Sequence, residues 1–257
     1  MAKIECSFYS YTLKLSTAMT VILPINENTT VQKMPVLWLL HGLSDDHTAW
    51  TRKTSIERYA EKRGLAVVMP EAGRSYYTDM VHGLDYWTFI SKELPAIARK
   101  LFPLSEKREE NFVAGLSMGG YGALKLAFSF PEKYAAAASM SGAVDPYSFL
   151  TSVKNDKERI DIINNVFGKL KSIPGSDNDL TALAKKNMRK KIKLPAIYQC
   201  CGTGDFLYGD NLRFRDFLKK SNIKAEYKES PGTHEWGYWD ASIQDVLRWL
   251  PLKKPSI

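Results

Sequence analysis

Cysteine is scarce in this sequence: Cys6, Cys200 and Cys201 are the only three among 257 residues, an odd number with two of them adjacent. That excludes the disulfide framework of a small secreted domain and leaves buried thiols in a reducing compartment as the expectation. Histidine is nearly as rare, limited to His41, His47, His82 and His234, and no Cys/His or His/carboxylate group has metal-ligand spacing. Neither a metal nor any other cofactor is therefore expected. Also missing is an apolar run long enough to span a bilayer, and residues 1–6 lack the apolar core of a secretory signal. A cytoplasmic location without membrane association is the expectation. Charge of both signs is abundant, with 36 Lys and Arg against 28 Asp and Glu for a net +8. The cations are scattered and the densest run is confined to residues 185–193, so a solvated basic face is expected and no nucleic-acid partner. With 44% hydrophobic residues, the chain has enough apolar material for one large α/β domain over residues 1–257.

What is present alternates between two periodicities. Ile4, Cys6 and Phe8, then Leu13 and Leu15, then Met19, Val21 and Leu23 recur in steps of two around polar residues. This predicts an antiparallel strand pair at a sheet edge, with its turn at Ser16-Thr17. Continuous apolar runs at 36–40, 65–70, 111–116, 134–141 and 196–201, with a last strand at 225–229, predict buried strands of a mainly parallel sheet. Helical patterns at 55–63, 85–102, 120–130, 211–220 and 241–250 fall between and after them, so helices should cover both faces. Pro95 marks a break or a fresh first turn in the second of these helices. Residues 145–193 interrupt the alternation with amphipathic patches, a turn at Pro174-Gly175-Ser176 and no strand. A connection of that length leaving the strand after residue 117 reads as a small cap or lid insertion, or as a surface excursion that covers nothing.

The chemistry is declared between Asn111 and Gly122, where a buried strand, a glycine-flanked serine and a helix come one after another. A serine on so sharp a turn needs small neighbours two positions either side, which Gly115 and Gly119 supply. Ser117 would then stand at the helix N-terminus, where unpaired N–H groups and the positive dipole end favour developing negative charge. A serine hydroxyl needs a base, and the base needs an acid to hold its tautomer. In this architecture the partners come in the order Ser, Asp or Glu, His. Only His234 lies after Ser117, in the loop following the last strand. Asp205, past the end of the 196–201 strand on a glycine-permitted turn, is preferred as the acid over Asp210, Glu235 and Asp240. The oxyanion would be held by backbone N–H groups of Met118 and of Leu43, with His41 shaping the latter's loop. Trp50, Trp87, Trp236, Tyr238 and Trp239 read equally well as an acyl-pocket wall or as core.

Taken together, His41-Gly42-Leu43 with Trp50, Glu93-Leu94-Pro95, the segment Gly115 to Ala123, Gly202-Thr203-Gly204-Asp205 and His234-Glu235-Trp236 carry a resemblance. The chain resembles the esterase D-like branch of the α/β-hydrolase superfamily, above all bacterial tributyrin esterases and related feruloyl esterases. The resemblance implies an α/β-hydrolase fold with a mostly parallel eight-stranded sheet, and a cofactor-free serine carboxylesterase acting on small-molecule esters with short acyl and, by extension, hydroxycinnamoyl groups. It implies the triad Ser117, Asp205 and His234 and a homo-oligomer, dimer or tetramer. S-formylglutathione hydrolases of this branch carry a cysteine after His-Gly-Leu, where this chain has Ser44-Asp45-Asp46, which favours oxygen esters. The rival readings are an acyltransferase or S-formylglutathione hydrolase-type thioesterase on the same triad, and a non-catalytic hydrolase-like binding module.

Overall fold

Eight strands build one sheet: β1 (Ala2–Ser10), β2 (Leu15–Leu23), β3 (Val36–Leu40), β4 (Ala66–Pro70), β5 (Asn111–Leu116), β6 (Ala136–Met140), β7 (Ala196–Gly202) and β8 (Ala225–Ser230). The structure is a computed structural model and describes residues 1–25, 33–148 and 156–252. In space the strands run β1-β2-β4-β3-β5-β6-β7-β8. The first two pairings, β1 with β2 and β2 with β4, are antiparallel and the rest are parallel. The mostly parallel eight-stranded sheet is thus present as expected.

Strands buried on both faces explain the continuous apolar runs. In β3, Val36, Trp38 and Leu40 face one core, while Leu37 and Leu39 face the other. The first core is closed by α4 (Leu94–Leu101), α5 (Met118–Ser129), α6 (Lys157–Phe167), α7 (Leu180–Arg189) and α8 (Tyr208–Lys220). On the opposite face lie α1 (Ala49–Lys53), α2 (Ile56–Glu61) and α9 (Trp236–Trp249). Cys200 and Cys201 are buried free thiols in β7, and burial pushes the Cys200 thiol up to about 12. No helix among the described residues is long and apolar enough to cross a membrane.

The structure corrects one local reading and bears out another. Pairing runs from Ala2 with Leu23 to Ser10 with Leu15, so the hairpin turns at residues 11–14, and Ser16 and Thr17 lie inside β2. Leu13 misled the periodicity because it is a turn residue folded inward, 1% exposed, its N–H held by Ser10 Oγ. The fresh first turn expected at Pro95 is present. α3 (Tyr86–Thr88) passes into a π-helical turn, Phe89–Glu93, before α4 begins. Pro95 sits in the first turn of α4, where a missing N–H leaves no bond broken. The wider turn aims Glu93 at the hairpin: Ser10 Oγ, the Tyr11 N–H and the Thr12 N–H donate to its carboxylate at 2.7, 2.7 and 3.0 Å. Burial favours the protonated carboxyl, but these donors outweigh it and hold Glu93 below the usual carboxylate range.

Among the described part of residues 145–193 there is no strand. α7 packs along α5, with Asn187 Nδ2 donating to the Phe128 carbonyl at 2.6 Å. The segment before α7 is clamped at Asn178, whose carbonyl accepts from Tyr121 Oη at 2.9 Å and whose side chain accepts from Lys125 Nζ at 2.8 Å. Lys125, inside the apolar helix α5, is enclosed: its ammonium also donates to Thr78 Oγ1 at 2.9 Å and the Tyr77 carbonyl at 3.2 Å, and lies 4.4 Å from the Trp87 ring centre. Burial lowers its pKa from 10.5 to about 7, against the opposing charges of Asp79 and Asp177.

Candidate active site

Ser117 leaves β5 with φ +51° and ψ −118°, a conformation that a non-glycine residue adopts only when its surroundings hold it there. Its N–H donates to the Met140 carbonyl at 2.9 Å, and its own carbonyl accepts from the Ala143 and Tyr121 N–H groups at 3.0 and 3.1 Å. The flanking glycines are required by close approach. A Cβ on Gly115 would stand 2.3 Å from the Gly119 carbonyl oxygen, and one on Gly119 would stand 2.5 Å from the Leu40 carbonyl oxygen. Side chains at either position would push α5 off the sheet.

A second crossing brings the other two residues together. β7 ends at Gly202, where a Cβ would lie 2.4 Å from the Gly232 carbonyl oxygen. The loops after β7 and β8 are then tied by the Thr203 N–H to the Ser230 carbonyl at 3.0 Å and the Gly204 N–H to the Gly232 carbonyl at 2.9 Å. Asp205 and His234 project from these tied loops. Asp205 Oδ2 lies 2.8 Å and Oδ1 3.0 Å from His234 Nδ1, and the Leu207 N–H donates to Oδ1 at 2.8 Å. The carboxylate is fully enclosed; burial alone would raise its pKa, but the His234 and Leu207 donors outweigh burial and hold it below the ordinary range. An ionised carboxylate only accepts, so Nδ1 carries the proton and Nε2 presents a lone pair. Ser117 Oγ lies 3.0 Å from that Nε2 and donates to it.

The remaining carboxylates considered for this position are engaged elsewhere or lie aside. Asp240 accepts from Tyr59 Oη at 3.1 Å, Asp210 pairs with Arg213, and Glu235 is the residue preceding α9. Among the described residues, Asp205 is the carboxylate bonded to His234.

Met118 follows Ser117 directly in the chain, and Leu43 lines the same cavity as Ser117. Met118 opens α5, and Gly42 sits so close that its Cβ would lie 3.7 Å from Ser117 Cβ. Neither the Leu43 nor the Met118 N–H is bonded within the described residues. Their loop is braced from behind. His41 Nδ1 donates to the Gly42 carbonyl at 2.8 Å, while its Nε2 accepts the Ala72 N–H at 3.0 Å. Burial lowers the His41 pKa, so the ring is neutral and serves as a strut. Tyr77 Oη donates to the His41 carbonyl at 2.9 Å and Trp50 Nε1 to the Leu40 carbonyl at 3.1 Å.

These groups open onto a cavity of ≈ 530 Å³ at the carboxyl ends of the parallel strands. Tyr76, Phe206, Trp236 and Trp239 give it aromatic surface, and Asp45, Arg74, Asp156, Glu158 and Arg159 give it a charged rim. Of the five aromatic residues singled out in the sequence, Trp236 and Trp239 reach the cavity. Trp50 is buried behind Trp236, Trp87 stacks on Phe130 with ring centres 5.6 Å apart, and Tyr238 lies against Gly232. The sequence reading missed the charged rim, since Arg74, Asp156, Glu158 and Arg159 look like solvated surface until the fold gathers them. A larger cavity of ≈ 780 Å³ lies at the other end of the sheet, beside Pro35, Ala135 and Ala196, and contains none of Ser117, Asp205 and His234.

The family model described as a putative esterase matches residues 10–250. An acetyl esterase of Caldicellulosiruptor saccharolyticus is 31% identical, over 97% of this chain and 98% of its own. Two solved structures from Staphylococcus aureus align with 97% of this chain and 98% of theirs at 37% identity. One is fluorophosphonate-binding serine hydrolase F with substrate bound, at a TM-score of 0.89; the other is an S-formylglutathione hydrolase apoenzyme, at 0.87.

Proposed function

Since this chain belongs to the putative esterase family and is a serine carboxylic ester hydrolase of the α/β-hydrolase fold, we propose that Ser117 is its nucleophile, His234 its general base and Asp205 the acid that orients His234. The observation that carries the assignment is the continuous chain from Ser117 Oγ to His234 Nε2 at 3.0 Å and from Nδ1 to Asp205 at 2.8 Å. His234 takes the hydroxyl proton as Ser117 Oγ bonds to the ester carbonyl carbon, and the Leu43 and Met118 N–H groups hold the oxyanion. The imidazolium then gives that proton to the alcohol oxygen as the C–O bond breaks. Water, deprotonated by the same imidazole, attacks the acyl-enzyme and releases the acid, returning the proton to Ser117.

The substrates we propose are oxygen esters of short acyl groups, with hydroxycinnamoyl esters as an extension. A cavity of ≈ 530 Å³ suits a small substrate, and each further buried methylene contributes about 0.8 kcal/mol, so pocket depth sets chain-length preference. The likeness to an S-formylglutathione hydrolase favours thioester hydrolysis as a second reading. Ser44-Asp45-Asp46, in place of a cysteine, argues for the first.

Residues 145–193 are proposed to act as a cap through the start of α6, where Asp156 at the N-cap and Glu158 and Arg159 in the first turn border the cavity. A cytoplasmic homo-oligomer, dimer or tetramer, completes the reading; three free thiols fit a reducing compartment. The test is hydrolysis of p-nitrophenyl esters from acetate to dodecanoate, with methyl ferulate and S-formylglutathione alongside, by wild type and Ser117→Ala. The expected result is a short-chain optimum and a loss of kcat on the order of a millionfold in the variant. Wild-type turnover by Ser117→Ala would refute the mechanism.

A further inference from the structure

One side of the cavity has no part in the bond-making steps above. His234 Nε2 protonates the departing oxygen, so the alcohol portion of the ester lies on the imidazole's side of the scissile carbon. Among the described residues, two rings flank that imidazole. Trp239 meets it edge-on at 4.9 Å and is 5% exposed, part of the core. Phe206 lies 4.5 Å from it, between ring centres, and is 57% exposed although wholly apolar.

The exposed ring has a cation beside it. The Arg159 guanidinium lies 5.5 Å from the Phe206 ring centre. Its position is fixed by Asp156, which pairs with Arg159 Nε at 3.1 Å and caps α6 by accepting the Arg159 N–H at 3.1 Å. Next to it, Glu158 pairs with Arg74 across the rim at 2.6 Å, joining α6 to the loop after β4. The wall opposite the departing oxygen is therefore an aromatic surface with an oriented guanidinium at its edge. Both groups recognise flat π-systems: the ring by offset or edge-to-face packing, the guanidinium by stacking and cation–π attraction.

We propose that Phe206 and Arg159 form the alcohol subsite of this esterase and select esters of flat, aromatic alcohols. The proposal rests on the triad assignment above, which fixes the side from which the alcohol leaves. An aryl ring carried on the ester oxygen lies against Phe206, within reach of the Arg159 guanidinium. The acyl group lies away from both, so acyl preference is set by other walls. Phe206 and Arg159 are specificity residues here; they take no proton and make no bond to the reacting atoms.

The experiment compares phenyl acetate with cyclohexyl acetate, which share one acetyl-enzyme and differ only in the departing alcohol. The readout is the ratio of their kcat/KM values in wild type, Phe206→Ala, Phe206→Tyr and Arg159→Met. Intrinsic leaving-group reactivity cancels when each variant's ratio is divided by that of wild type. Phe206→Ala should lower the phenyl-to-cyclohexyl ratio about three- to tenfold and Arg159→Met about two- to fivefold. Phe206→Tyr, which keeps the ring, should retain the wild-type ratio. The acetate-to-butyrate ratio for p-nitrophenyl esters should stay as in wild type throughout. An unchanged phenyl-to-cyclohexyl ratio in both Phe206→Ala and Arg159→Met, with hydrolysis still dependent on Ser117, would overturn the subsite alone. A wild type that hydrolyses none of these acetates would overturn the triad reading with it.

Discussion

Lys125 offers a measurement in which one buried group controls a pH gradient. Its ammonium has three protons and three protein acceptors, Tyr77 O, Thr78 Oγ1 and Asn178 Oδ1, with the Trp87 ring alongside. Burial nevertheless dominates and brings the pKa from 10.5 to about 7, although Asp79 and Asp177 pull the other way. Between those two values the unfolded chain keeps the proton and the folded chain has lost it. Stability therefore rises with pH across that window and is flat, as far as Lys125 is concerned, below it. One proton gives a slope of about 1.4 kcal/mol per pH unit, so the whole window corresponds to on the order of 5 kcal/mol. Lys125→Met preserves most of the buried stem and removes the titration. Urea unfolding of both proteins from pH 7.5 to 9.5 should show wild type gaining about 2.5 kcal/mol relative to the variant. The difference between the two proteins isolates this residue from every other titrating group. A difference that stays constant over the same range would mean the three acceptors and the aromatic ring keep the ammonium charged, and the reasoning from burial would be wrong.

Two further substitutions probe the site and its frame. Asp205→Asn retains the shape but can face the imidazole with an amide N–H, favouring the wrong tautomer; kcat should fall on the order of 10⁴-fold at neutral pH, and a loss below tenfold would remove Asp205 from the mechanism. Gly119→Ala places a Cβ 2.5 Å from the Leu40 carbonyl oxygen. It should destabilise the protein by about 1–3 kcal/mol in urea unfolding and lower kcat with it; unaltered stability would show that the approach of α5 to β3 is not tight.

The order of strands was legible because both faces of the central sheet are covered, so β3, β4 and β5 are largely continuous apolar runs even though Asn111, Ser139 and Gln199 are buried polar residues in β5, β6 and β7. Ser117, Asp205 and His234 were also readable, since each stands just past a strand end on a glycine-marked turn and only one histidine comes after the serine. The one error of register has an equally local cause: an inward-facing turn residue, Leu13, continued a period of two and shifted the hairpin's turn. The charged rim was out of reach for another reason. Arg74 and Glu158 are 84 residues apart in sequence, and a charged side chain carries no mark of the partner that the fold assigns to it. Lys125 was invisible as a buried cation because it occupies one place in an otherwise apolar helix, where a lysine ordinarily reaches outward.

The π-helical turn at Phe89–Glu93 acts as a phase adjustment between two parts of the molecule. One residue beyond α-helical pitch rotates the helix before the turn by about 100° relative to the helix after it. A single-residue deletion there would restore regular pitch and swing the Glu93 carboxylate away from Ser10, Tyr11 and Thr12. The outermost hairpin, with no strand beyond β1 among the described residues, would lose its fastening to the helical layer and fray from its tip. Insertions and deletions in this helix are thereby constrained in number as well as in kind, even though none of its residues borders the cavity beside Ser117.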